Sequence, residues 1–317
     1  MTSEISALFV VDPLDELKES KDSSIAMMRE MARRGHRIWT CEIGGLAWRD
    51  GVVQALATRL DIQPQGEPWF ARLEAARRPL ENFDVVLMRK DPPFDLEYLV
   101  ATYLLEAAVR RGARVFNDPR ALRDHNEKFA IAEFAHYAPP TLVTRDPDVI
   151  REFHGEHRDI VIKPLDGMGG RGVFRLAPDD PNLGVILETA TQRGTRTVMA
   201  QRFVPEIASG DKRILLVAGR PVPYALARTP RPGESRGNLA AGARGVAKPL
   251  SPRQREIAGA LGPTLAKRGL LLVGLDIIGD WLTEVNVTSP TCFREIQDQS
   301  GYDVAGSYIS ALEARLK

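Results

Sequence analysis

The chain has 317 residues, is 44% hydrophobic, and carries a net charge of +1 from 43 basic and 42 acidic side chains. That length exceeds the ~100 to 200 residues of one domain, so two or three packed units are expected, and the charge balance excludes a global field that would gather nucleic acid. No apolar run approaches the ~20 residues of a membrane helix, the start MTSEISALFVVD lacks the succession of a secretory leader, and Cys41 and Cys292 stand far apart without zinc or redox spacing, so a cytoplasmic protein with ordinary thiols and no membrane partner is expected.

The first 120 residues alternate short apolar runs with amphipathic stretches: ALFVVD at 7–12, DSSIAMMREMARRG, HRIWTCEI, DVVLMRK, DLEYLVATYLLEAAVRRG and ARVFN. This βαβ rhythm predicts an α/β unit with a parallel sheet. Its first helix, over 22–35, has Asp22 or Ser23 as N-cap, Ile25, Met28, Met31 and Ala32 on one face, and Gly35 at its stop. Residues 120–200 read as a small α+β unit: a helix through NEKFAIAEFAH, the strand DIVIKP, a glycine-rich turn, the strand VFRL, a helix near 182–192 and the strand RTVMAQ. The last third has RILLVAG and PVPYALAR as antiparallel strands, an Arg/Gly-rich loop, a helix through PRQREIAGALGPTLAKRG, a hairpin and a closing helix from about 303. The expected division is 1–122, 123–202 and 203–317.

Three segments carry chemistry. In LLLVGLDIIGDWLTEVNV two β-rich runs flank Gly279-Asp280, the signature of a hairpin. Glu284 and Asn286 are two apart and share a face; Asp276 joins them only if the loop has the right parity. A two-residue loop would pair Asp276 with Thr283, whereas a three-residue loop over 279–281 pairs it with Glu284. An odd-length loop is therefore expected, because two carboxylates and an amide oxygen on one face make a hard-oxygen site of the kind Mg2+ accepts. Without a metal the same residues form a polar surface stripe in which like charges repel.

The second segment, IVIKPLDGMGGRG, places Lys163 at the end of an apolar strand, followed by Gly167, Gly169, Gly170 and Gly172. Such a turn presents backbone N–H groups to phosphate oxygens, although it has neither the Walker A nor the Rossmann glycine order, and a plain flexible turn has the same composition. Lys128 in NEKF is a second candidate phosphate contact or a solvated helix lysine. The third segment, ALARTPRPGESRGNLAAGARG, holds Arg228, Arg231, Arg236 and Arg244 amid glycine and proline. It is either a mobile loop over 229–244 that closes on an anion and shields an intermediate from water, or a basic connector. The histidines His36, His125, His136, His154 and His157 show no ligand spacing and are expected at the surface or in caps; no Gly-x-Ser-x-Gly elbow or His-Glu-x-x-His is present.

With MRKDPPFD, ALRDHNEK, IVIKPLDGMGG, GDKRILLV, PVPYALAR, ESRGNLAAGARG and GPTLAKRGLLLVGLDIIGDWLTEVNVTSPTC on view, the chain resembles the bacterial glutathione synthetases of the ATP-grasp superfamily over nearly its whole length. The resemblance implies an ATP-grasp fold, with an N-terminal α/β domain and two α+β units clasping the nucleotide, and a homotetramer. It implies that Lys128 and Lys163 contact ATP, that 166–172, with Gly167, Gly169 and Gly170, form a lid over its phosphates, that Gln201, Arg202, Phe203 and Val204 meet adenine, and that Asp211 bonds the ribose. Asp276, Glu284 and Asn286 would hold Mg2+, with Mn2+ as an alternative. Arg89, Arg213, Arg228, Arg236 and Asn238 would handle the dipeptide γ-glutamylcysteine or its acyl phosphate, and Ser289 and Thr291 would seat glycine. At PRPGES the chain departs from the family, since Arg231 and Pro232 make the first arm of the loop more basic and stiffer. Two rivals share parts of this pattern: an ATP-grasp ligase for another acid and amine, and a synapsin-like module that binds ATP without turnover.

Overall fold

The computed structural model describes residues 4–65, 67–231, 237, 239 and 242–317. The βαβ rhythm produces β1 (Ser6–Val10), α1 (Ser23–Arg33) and β2 (Arg37–Cys41). Asp22 is the N-cap of α1, its carboxylate accepting from Ser24 N and Ile25 N at 2.7 and 3.0 Å, and Gly35 ends the turn with φ +82°. After β3 (Leu46–Arg49), β4 (Val52–Ile62) and β5 (Phe70–Pro79), the alternation resumes with β6 (Val85–Met88), α2 (Leu96–Val109) and β7 (Val115–Phe116).

The sheet is mixed rather than parallel throughout. β2, β1, β6 and β7 run parallel, as the alternation requires, but β4 adds antiparallel to β2 and carries β3 and β5 as antiparallel neighbours. β5 has the sequence FARLEAARRP, rich in helix formers and exposed over most of its length; pairing with β4 overrides that local preference.

A short α3 (Pro119–Asp124) leads into residues 129–137, where the expected helix is a 3-10 segment broken at Phe134. The second sheet follows: β8 (Thr141–Thr144), α4 (Pro147–His157), β9 (Ile160–Pro164), β10 (Phe174–Leu176), α5 (Leu183–Ala190) and β11 (Val198–Arg202), in the antiparallel order β10-β9-β11-β8. Strand alternation sends Ile160, Ile162, Val198 and Ala200 into a core with Ile150 and Leu187 of the two helices, and leaves Val161, Lys163 and Gln201 on the opposite face.

The third sheet is antiparallel, in the order β14-β13-β12-β15-β16. It comprises β12 (Asp211–Val217), β13 (Arg220–Thr229), β14 (Arg244–Pro249), β15 (Leu272–Ile278) and β16 (Trp281–Asn286), with α6 (Pro252–Lys267), α7 (Phe293–Ser300) and α8 (Val304–Leu316). Ser251 and Gln254 form a capping box at the start of α6. One face of the sheet, with Ile214, Leu216, Val273, Leu275 and Ile277, packs on Ile257, Leu261 and Leu265 of α6. Truncating Leu261 to alanine there costs about 2–5 kcal/mol. On the other face Leu215, Val217, Leu226 and Leu272 join α1, α7 and α8 beneath the first sheet, but at the far end of the strands that face turns polar.

Three histidines expected at the surface or in caps are buried. His36 bridges Ile5 N and Glu313, His154 meets Ala177 O, and His125 combines burial with the expected cap role by donating to Ala121 O at the end of α3.

Candidate active site

The strand register assembles the polar face. Arg213 of β12 lies opposite Asp276 of β15, which lies opposite Glu284 of β16; one pair along, Arg228 of β13 lies opposite Asp211 of β12, and Gly274 opposite Asn286. Residues two apart on a strand share a face, so both rows point the same way.

The hairpin reaches this register by a different route from the one expected. Its loop has two residues, Gly279 and Asp280, with φ +58° at Gly279. Ile278 pairs with Trp281 and Ile277 with Leu282, and the ladder then slips by one residue so that Asp276 meets Glu284. Thr283 is the extra residue of a β-bulge, and its hydroxyl donates to Asp276 O at 3.1 Å. The bulge, not an odd loop, turns Glu284 to the face of Asp276. It also frees the Thr283 carbonyl, which accepts from Lys163 Nζ at 3.2 Å.

The polar row faces a cavity of about 330 Å³ between the second and third sheets. Lys163 and Lys128 converge on Glu284 with Nζ–Oε1 separations of 3.9 and 3.7 Å, and Lys128 also donates to Gly167 O at 2.5 Å. Gly169, Gly170 and Gly172 all have positive φ, at +63°, +78° and +70°, a conformation side chains resist, and Gly169 and Gly170 border the cavity. At the other end Arg213 binds Asp276 through Nε and a terminal nitrogen at 2.5 and 2.9 Å, and Arg228 reaches the same carboxylate at 3.0 Å while pairing with Asp211. A Cβ on Gly274 would sit 2.9 Å from Arg213 Cδ, so the glycine gives that arginine its path across the strand.

Charges shift accordingly. Burial alone would raise the Asp276 carboxyl, but the guanidiniums of Arg213 and Arg228 outweigh it and hold the group well below the usual carboxylate range. Asp211 is pushed up to about 6, mainly by burial, with the nearby Asp276 charge adding to the effect against Arg228. Burial pushes the Lys163 ammonium down, opposed by Glu284. Among the described residues nothing partners the buried Asp211 Oδ1 and Arg228 Nε, an arrangement that suits a polar ligand.

Val161, Phe203, Val204, Ile207 and Ile278 give the cavity an apolar slot next to Gln201 and Asp211. Arg175 stacks on Phe203, 3.7 Å from the ring centroid. Ser289 and Thr291 line the opposite end, where Ser289 donates to Asp91.

Of the site residues expected from sequence, Lys128, Lys163, Gly167, Gly169, Gly170, Gln201, Arg202, Phe203, Val204, Asp211, Arg213, Arg228, Asp276, Glu284, Asn286, Ser289 and Thr291 border one cavity. Arg89 does not: it is buried behind the wall, donating to Ser24 Oγ at 3.1 Å and Pro290 O at 3.0 Å, where it holds the 289–291 turn. Arg236, Asn238 and much of the 229–244 loop lie outside the described residues, although Gly237 and Leu239 border the cavity. Sequence reasoning missed Asp91, Glu127, Thr283, Thr288 and Cys292. Asp91 stands in the quoted MRKDPPFD and Glu127 beside Lys128, which were the available signals; the buried Cys292 thiol has none.

As a cation site the hairpin has suitable donors. Asn286 Nδ2 donates to Gly274 O at 3.2 Å, so its Oδ1 is left as an acceptor, and Glu284 has cations near it at salt-bridge range only. Asp276 has three of its ~four lone-pair positions taken by guanidinium groups, which must yield for it to serve as a ligand. Among the described residues no three His, Cys, Asp or Glu side chains converge, so the amide oxygen is needed as the third protein donor.

Two sheets enclosing a nucleotide-sized cleft, with Lys163 from one, carboxylates from the other and Lys128 from the segment that leads into the first of them, define an ATP-grasp protein. Solved structures agree on the fold: D-cycloserine synthetase DcsG matches with a TM-score of 0.70 at 17% identity, covering 98% of this chain and 100% of that one, and the ATP-grasp ligase PsnB complexed with minimal precursor with 0.66 at 19%, covering 99% and 100%. The family models for the N-terminal domain and the ATP-grasp domain of prokaryotic glutathione synthetase match residues 5–123 and 127–301. The glutathione synthetases of Nitrosomonas europaea and Shewanella oneidensis are 60% and 54% identical, covering 97% of this chain in each case and 97% and 98% of theirs. The chain belongs to the prokaryotic glutathione synthetase family, and it is an ATP-dependent ligase.

Proposed function

We propose that the chain joins γ-glutamylcysteine to glycine at the expense of ATP, giving glutathione, ADP and phosphate. The observation that carries this reading is the single polar face on which Arg228–Asp211 and Arg213–Asp276–Glu284 meet Lys128 and Lys163. An oxygen of the cysteinyl carboxylate attacks the γ-phosphorus, the bond to the β,γ-bridging oxygen breaks, and ADP leaves. The glycine amine then adds to the acyl carbon, phosphate departs with the C–O bond, and the amine sheds its proton. Neither step needs a side-chain nucleophile; positioning and charge neutralisation supply the catalysis.

In this reading Lys128, Lys163 and the 167–172 turn hold the phosphates, the apolar slot takes adenine beside Gln201–Val204, and Asp211 accepts from the ribose. Arg213 and Arg228 neutralise the acid and its acyl phosphate, with Arg236 and Asn238 completing that role, and Ser289 and Thr291 seat glycine. Asp276, Glu284 and Asn286 would hold Mg2+, which supplies charge neutralisation at the phosphates. The guanidiniums that hold Asp276 would then turn to the substrate anions.

The proposed homotetramer needs a surface for association, and Leu96, Val100 and Tyr103, an exposed apolar stripe at helical spacing on α2, would suit one. No helix among the described residues is long and apolar enough to cross a membrane, which fits the proposed cytoplasmic site. The test is ADP release with γ-glutamylcysteine and glycine, singly and together, against D-alanine and glutamate. Turnover only with a control pair would defeat the proposal, and nucleotide binding without turnover would favour a non-catalytic module.

A further inference from the structure

Among the described residues β16 is the last strand of its sheet, so alternate backbone groups point outward with no strand there to receive them. Such an edge ordinarily faces water or invites another chain. Here the outward groups are taken by the two segments that bear the lysines. The Thr283 carbonyl accepts from Lys163, Val285 N donates to Glu127 O at 2.8 Å, and Val287 N donates to Glu127 Oε1 at 2.9 Å. The same Oε1 accepts from Thr288 N at 3.0 Å and Thr288 Oγ1 at 2.8 Å. Glu127 thus meets two successive outward N–H groups, one with its main-chain carbonyl and one with its side chain, as the carbonyls of an added strand would. The adjoining residue is Lys128, whose ammonium lies 3.7 Å from Glu284 on that same strand.

We propose that Glu127 is a positioning residue that locks residues 126–128 onto the free edge of β16 and so sets the place of the Lys128 ammonium relative to Glu284 and the glycine turn. The inference rests on the reading of Lys128 as a phosphate contact. Its chemistry is that of an acceptor: what counts is an oxygen in place for Val287 and Thr288, not the negative charge. A carboxylate kept only for charge would not need three donors on one oxygen.

The experiment compares Glu127→Ala, Glu127→Gln and Lys128→Met with the Glu127→Ala/Lys128→Met double variant, reading KM for ATP, kcat and thermal midpoint. Glu127→Ala is expected to raise KM for ATP about tenfold or more, while Glu127→Gln, which keeps an amide oxygen, stays within about threefold of the parent. In the Lys128→Met background the alanine change is expected to add less than about twofold, because its effect passes through the lysine. Thr288→Val, which removes one of the three donors to Glu127 Oε1 and keeps the two backbone donors, gives a milder rise of the same kind should the alanine variant fail to fold. Equal impairment of the Ala and Gln variants, or full additivity with Lys128→Met, overturns the inference; so does a normal KM in Glu127→Ala beside a raised one in Lys128→Met. A normal KM in Lys128→Met overturns the reading beneath it instead, and the two failures are thereby told apart.

Discussion

The two carboxylates of the hairpin face each other across β15 and β16 but live in different surroundings. Asp276 is 3% exposed and locked by three contacts from two guanidiniums; Glu284 is partly open and has two ammoniums at 3.7 and 3.9 Å with no hydrogen bond between them. The difference teaches that the proposed Mg2+ site would combine one carboxylate that is part of the folded framework with one held loosely. Removing the first leaves buried guanidinium charge uncompensated, whereas removing the second takes away only contacts at 3.7 and 3.9 Å, without a hydrogen bond, to two buried lysines that border the cavity.

The largest effects come from breaking that pair. Asp276→Asn and Glu284→Gln are each expected to lower kcat about 10²–10³-fold, the scale seen when a single charge-stabilising group is lost. Their stabilities should separate: about 3–5 kcal/mol lost in the first, because Arg213 is stranded, and about 1 kcal/mol in the second. Urea unfolding of both proteins reads this, and equal losses would erase the proposed division between framework and loose ligand. Next in size, Lys163→Met should raise KM for ATP about 10–100-fold through loss of a charge-assisted contact, with Tm little changed. A KM unaffected by that change would place the phosphates elsewhere.

The comparison also shows what could be read from the chain alone. The βαβ rhythm, the caps of α1 and the third-sheet strands follow from local patterning, and strand periodicity put Glu284 and Asn286 together. The joining of Asp276 was expected for the wrong reason, since a bulge two pairs beyond the turn changes parity just as an odd loop does, and nothing local to Leu282-Thr283-Glu284 marks it. The antiparallel β4 and β5 escaped because their Ala, Arg and Leu content favours helix. Arg89 was assigned to substrate through the resemblance carried by MRKDPPFD, and nothing in the sequence shows its hydrogen bonds to Ser24 and Pro290 behind the cavity wall. Deleting Thr283 sharpens the point: a regular two-residue hairpin would then pair Asp276 with Glu284 directly while removing the carbonyl that anchors Lys163. The expected result is retained Mg2+-dependent turnover with KM for ATP raised about threefold to tenfold, and loss of all turnover would show that the bulge also shapes the carboxylate pair.

The smallest effect is electrostatic and distinguishes the Asp211 end of the row from Asp276. Asp276 is depressed, so its stabilising contribution is present above the unfolded carboxyl value of ~3.9 and is lost only as pH falls through its folded value, which lies far lower. Asp211 is raised to about 6, so it takes up a proton more readily in the folded chain; its contribution is complete below ~3.9 and is lost as pH rises through about 6. Between pH 7 and 4.5 Asp211 therefore titrates while Asp276 stays charged. Relative to the parent, Asp211→Asn should become less stable as the solution is acidified across that window, by about 2 kcal/mol, because it lacks the proton uptake that favours the native parent. Unfolding free energies of the two proteins at several pH values give the difference curve directly. A flat curve would mean that Arg228 holds Asp211 ionised as firmly as Arg213 holds Asp276, and that the two ends of the row are electrostatically alike.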